Sequence, residues 1–163
     1  GKMVFTSSCA YDGDWSMDEC GVVSVAAVTC DDGGTYAGGW RDDMRNGDGV
    51  MHFANGDSYN GQWSKGMFNG KGTLQTAAGV TIECKWKDNK SQGKVKVTLP
   101  VSATTVFEGT LDEDLAPIRG QVRGKQGTVA EGDFAFCTDS AKVVMRNGRI
   151  SWGRSHNYSD AQN

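Results

Sequence analysis

Proline is nearly absent and histidine occurs twice in 163 residues, with 2 copies of each. So little proline excludes a collagen-like chain or a Pro-rich linker. No hydrophobic run approaches a bilayer span; the longest mostly apolar stretch is 21–28. The hydrophobic fraction of 37 % is below the ~45–50 % of ordinary domains. A thick two-layer core is therefore not expected, and the 5 Trp, 4 Tyr and 6 Phe must carry much of the burial. A net charge of −3 argues against a dedicated nucleic-acid binder. The 5 cysteines (Cys9, Cys20, Cys30, Cys84, Cys137) form no closely spaced pair, so no zinc site is expected. They read as reduced thiols in preference to a Cys20–Cys30 or Cys9–Cys30 disulfide. With no signal peptide in view, the expected location is cytoplasmic, at the cytoskeleton or a membrane surface. Helix also lacks support: no i, i+3, i+4, i+7 apolar stripe is sustained between Tyr11 and Phe136.

Glycine is what the chain has in excess: 23 residues, about 14 % against a usual ~7 %. The excess is periodic. Tyr11-Asp12-Gly13-Asp14-Trp15 recurs as Tyr36-Ala37-Gly38-Gly39-Trp40 and Tyr59-Asn60-Gly61-Gln62-Trp63. Weaker copies are Ile82-Glu83-Cys84-Lys85-Trp86, Phe107-Glu108-Gly109-Thr110-Leu111 and Ala130-Glu131-Gly132-Asp133-Phe134. Starts at 11, 36, 59, 82, 107 and 130 give spacings of 25, 23, 23, 25 and 23. A second glycine pair follows, Gly47-Asp48-Gly49 and Gly70-Lys71-Gly72, with Gly93 holding the first of these places after Trp86. Asp32-Gly33, Asn55-Gly56 and Ala78-Gly79 close the units; Asn-Gly signals a type I′ hairpin, which needs φ > 0 at both central residues.

Each unit thus reads as strand, loop, strand, turn. Alternation places Tyr36, Gly38 and Trp40 on one face, and Gly47, Gly49, Met51 and Phe53 together on the next strand. The glycines leave room for rings to lie flat across the backbone. The fold expected is all-β: an elongated single-layer antiparallel sheet of consecutive β-hairpins. Residues 1–10 would be an N-terminal lead or cap strand and 11–136 about six repeats. Residues 137–163 would be a C-terminal cap hairpin turning at Asn147-Gly148, followed by a polar tail.

These motifs resemble the MORN (membrane occupation and recognition nexus) repeat, nearly everywhere in copies two and three and more loosely from Tyr11 to about Phe136. The resemblance implies a scaffold that binds partner proteins, self-associates, contacts lipid, or sits beside a catalytic domain such as a lysine methyltransferase. It carries no shared catalytic residues.

Three functions follow as expectations. An exposed apolar strip usually marks an interaction site, so Tyr36, Trp40, Met51, Phe53, Tyr59, Trp63 and Leu74 would line a groove for a peptide or helix of a protein partner. A homodimer through terminal strands or this strip is a further expectation. Charge is uneven: residues 1–81 carry net −5 and 82–163 net +2. Lys85, Lys87, Lys90, Lys94 and Lys96 form the densest basic stretch, a patch for anionic lipid or an acidic partner. Enzymatic chemistry is the poorest fit: His52 lies on the polar side of its strand, the acid pairs fall in turns, and no P-loop, GxSxG, HExxH or EF-hand loop appears. No cofactor, metal or nucleic acid is expected.

Overall fold

A computed structural model describes residues 2–5, 9–12, 15–17, 19, 21, 23–31, 33–100, 106–113, 115–124, 128–137 and 142–151. These form one antiparallel sheet with no helix. Its strands are β1 (Lys2–Phe5), β2 (Cys9–Asp12), β3 (Trp15–Met17), β4 (Val23–Cys30), β5 (Thr35–Arg41), β6 (Met44–His52), β7 (Ser58–Ser64), β8 (Met67–Gln75), β9 (Thr81–Lys87), β10 (Lys90–Thr98), β11 (Val106–Leu111), β12 (Pro117–Arg123), β13 (Val129–Cys137) and β14 (Lys142–Ser151). Order in space follows order in sequence from β4 to β14, and β2 and β3 both pair with β4. The expected single layer of hairpins is what the chain forms. No described helix is long and apolar enough to cross a membrane.

The period-2 pattern explains the strands. In β7 and β9 Tyr59, Trp63, Ile82 and Trp86 are buried, while Asn60, Gln62, Glu83 and Lys85 are exposed. Every motif from Tyr36 onward starts a new strand, on β5, β7, β9, β11 and β13. The second motif glycines share one rung. Gly38 pairs with Gly49, Gly49 with Gly61, and Gly61 with Gly72. Further along, Gly109 pairs with Gly120, Gly120 with Gly132, and Gly132 with Gly148. Only Cys84 and Val95 interrupt this row.

The turns correct one expectation. Positive φ at both central residues occurs at Asp42-Asp43, Lys65-Gly66 and Asp88-Asn89, the links inside each repeat. Asn55-Gly56 is different: only Gly56 has φ > 0, and Phe53 N–H donates to the Asp57 carbonyl (2.9 Å). The link is therefore a three-residue loop in which glycine takes the left-handed position. Thr76–Val80 repeats the same hydrogen bonds.

Two more expectations are corrected. No hairpin turns at Asn147-Gly148; β14 runs straight through it, because Gly148 is needed opposite Gly132 in the glycine row. The reduced-thiol reading fails at Cys9 and Cys30. They are register partners on β2 and β4 and are joined as a disulfide. Cys84 is a free thiol, and Cys20 and the polar tail 154–163 lie outside the described residues.

Candidate functional site

The seven side chains expected to line a groove are brought together on one face, but largely as interior. Tyr36 and Tyr59 are fully buried, and Trp40, Met51, Trp63 and Leu74 are no more than 8 % exposed; Phe53 alone is half-buried. The rings form a ladder. Tyr36 stands edge-on between Trp40 and Trp63, with both centroids at 5.3 Å. Tyr59 stands likewise between Trp63 (5.1 Å) and Trp86 (5.9 Å). The repeats starting at Tyr36 and Tyr59 therefore each pack the Tyr between its own Trp and the next one. Edge-to-face contacts add roughly 0.5–1.5 kcal/mol beyond area burial.

Glycine makes the ladder possible. A Cβ on Gly49 would collide with the Tyr36 hydroxyl and lie 2.6 Å from its Cζ. A Cβ on Gly72 would lie 2.5 Å from the Tyr59 Cζ. The first glycine of each Gly-x-Gly has another task. Gly47, Gly70 and Gly93 take positive φ where β6, β8 and β10 each bulge against their partners. Four of the ring polar atoms are hydrogen-bonded. Trp63 Nε1–H donates to the Gly49 carbonyl (3.1 Å) and Trp86 Nε1–H to that of Gly72 (3.0 Å). The Tyr36 and Tyr59 hydroxyls donate to the Gly39 and Gln62 carbonyls. Burial raises both phenols, Tyr59 up to about 12, and Cys84 beside it up to about 11.

Sequence reasoning missed the residue five places after each Trp. Arg45 lies 4.8 Å above the Trp63 ring and 5.8 Å from that of Tyr36. Phe68, in the same place of the next repeat, stacks flat on Tyr59 at 3.7 Å. Arg45, Phe53 and Phe68 are half-buried, and solvent reaches this face through them around Tyr36 and Tyr59. A shared position occupied by Arg, then Phe, then Ser91 gives no residue-type signal to find it by.

The opposite face carries the charge. Lys85, Lys87, Lys90, Lys94 and Lys96 are all exposed. The structure divides them. Lys96 pairs with Glu83 at 3.2 Å and Lys90 with Glu113 at 2.6 Å, a contact that raises the lysine and lowers the carboxyl. Among the described residues Lys85, Lys87 and Lys94 have no ion pair. Lys71, which the sequence did not single out, sits directly opposite Lys85. His52 is exposed. Among the described residues no three His, Cys, Asp or Glu side chains converge as a metal site.

The family model of the MORN repeat matches residues 36–58 and 59–81. These are the two repeats whose Tyr, Trp and Gly-x-Gly build the ladder. No curated protein matches the chain.

Proposed function

We propose that this chain, with two MORN repeats at its centre, is a non-catalytic repeat scaffold that binds a protein partner as a peptide or helix. One observation carries the reading: the motif side chains are consumed in building the sheet, which leaves Arg45, Phe53 and Phe68 on one face and the exposed lysines on the other to meet a partner. Residues that recur for packing have no chemistry left to perform, and MORN repeats are generally a non-catalytic module. On the ladder face a partner meets Arg45, Phe53 and Phe68 rather than the buried rings. An Arg beside half-exposed aromatic rings is the composition that dominates binding energy at interfaces.

The test is capture of partners from source-cell lysate on the immobilised chain, with the contacts mapped by cross-linking. The expected result is a partner retained at moderate salt and cross-linked to one face of the sheet. A folded chain that retains nothing above a bead control overturns the reading.

Peripheral binding to anionic lipid is the second reading, favoured by Lys85, Lys87 and Lys94 making no ion pair among the described residues. Co-sedimentation with phosphatidylserine vesicles tests it, and binding at low salt that is lost at moderate salt would favour it over the protein partner. Location is part of the proposal. The Cys9–Cys30 disulfide fits an oxidising compartment better than the cytoplasm expected from the sequence.

A further inference from the structure

We infer that the charged face carries a lane for an extended acidic polypeptide segment, along Lys71, Lys85 and Lys94 and ending at Arg119. The inference rests on the scaffold reading and says where one class of partner would lie.

The first observation is a cost that nothing within the sheet offsets. Like charges directly opposite on neighbouring strands are destabilising. Lys71 faces Lys85 between β8 and β9, and Lys87 faces Lys90 between β9 and β10. Elsewhere on the same face the register sets opposite charges together: Glu83 with Lys96, Lys96 with Glu108, Arg119 with Asp133, Glu131 with Arg149. Glu113 relieves Lys90. Lys71, Lys85 and Lys94 have no such neighbour. Lys94 and Arg119 then flank one groove of about 290 Å³, which Glu108 and Glu131 also line and the paired Gly109 and Gly120 floor.

The second observation is the width of the lane. Two residues along the strands runs a parallel row that contains Glu83, Glu108 and Glu131. A planar anionic surface would meet those carboxylates together with the lysines. A narrow polyanion laid on Lys71 and Lys85 would meet more cation than carboxylate, with Glu108 and Glu131 coming within its reach at the groove. From β8 to β12 the lane crosses four strand spacings, roughly 19 Å, which is the reach of about six extended residues. Among the described residues the outer face beside the lane offers Asn60, Gln62, Thr73 and Gln92 but no aromatic ring on which a base could stack. That favours carboxylates on a polypeptide over a nucleic acid.

The probe is fluorescein-labelled deca-glutamate, titrated with the whole chain and followed by anisotropy at low and moderate salt. Saturable binding that weakens with salt is expected. Changing Lys71→Gln together with Lys85→Gln should weaken it about tenfold, whereas Lys90→Gln with Lys96→Gln, which removes equal charge, should change it less than about twofold. Thermal melts matching the wild type show that the variants are folded. Equal losses from the two pairs, no binding of the peptide, or tighter binding of phosphatidylserine vesicles or an oligodeoxythymidine would each overturn the lane. A lysate partner still captured by the Lys71→Gln, Lys85→Gln chain would sink the lane and leave the scaffold reading standing.

Discussion

Tyr59 and Gly72 state the design of the repeat in two residues. The ring occupies the volume that any Cβ at residue 72 would need, and Tyr59 cannot move aside because Trp63, Phe68 and Trp86 surround it. The fourth repeat solves the same problem differently. It has Ile82 at the tyrosine place, and with no ring to house, Cys84 and Val95 replace the glycines. Gly72→Ala alone should therefore cost about 1–3 kcal/mol or more by overpacking. In a Tyr59→Ile background the added cost should fall by at least about 1 kcal/mol. Urea denaturation of the four proteins of this cycle measures the coupling, and additive costs would refute it. The phenols give a second prediction. Burial holds Tyr59 at about 12 against 10.0 when unfolded, so its contribution is complete below about pH 10 and is lost as pH rises through about 12. Tyrosinate absorbance from Tyr36 and Tyr59 should appear only as the sheet unfolds at high pH, with the melting temperature falling over the same range.

At the scale of the element, the hairpin links divide by side of the sheet. The type I′ turns Asp42-Asp43, Lys65-Gly66 and Asp88-Asn89 occupy one side. They brace one another: Gly66 N–H donates to the Arg45 carbonyl, and the Asn89 side chain accepts from Phe68 N–H at 2.8 Å. The three-residue loops occupy the other side, where Asp57 accepts from Ala77 N–H at 2.8 Å. Asp42 and Asp43 hold φ of 49° and 59°, which Asn and Gly adopt at lower cost. Replacing the pair by Asn-Gly should stabilise the chain by about 0.4–1 kcal/mol, read as a raised melting temperature. An unchanged or lowered value would show that contacts of these aspartates outweigh backbone strain. The strand pattern was legible because alternation needs no knowledge of neighbours. The turn types were not, because Asn-Gly satisfies either link and the choice depends on where the flanking strands must pair.

Across the whole molecule, adjacent elements hold one another and little else, as in other linear arrays. The weakest join in register is at the N-terminal end. Among the described residues β2 meets β4 through two residue pairs, Cys9–Cys30 and Ala10–Thr29, and the disulfide staples them. By contrast β6 and β7 share six pairs, from Gly47–Trp63 to His52–Ser58. Reduction should speed amide exchange in Cys9–Asp12 and in 28–30 while leaving β7 to β9 protected. Exchange that rises uniformly would mean that the array opens as one unit. Alkylation before and after reduction, followed by intact mass, should show two further thiols released.

The sequence by itself determined the repeat, its period, the strand faces and the single layer, because each follows from local alternation and from glycine recurring at a fixed offset. It also marked Tyr36, Trp40, Tyr59 and Trp63 as the residues that matter. Whether those rings face a partner or one another was decided only by the tertiary structure. A ring's exposure depends on what the next hairpin sets against it, and that hairpin sets a Trp there. The same holds for the lysines. Spacing along the chain grouped five of them, but register across strands neutralised Lys90 and Lys96 and brought in Lys71, since charges are paired by neighbours in space.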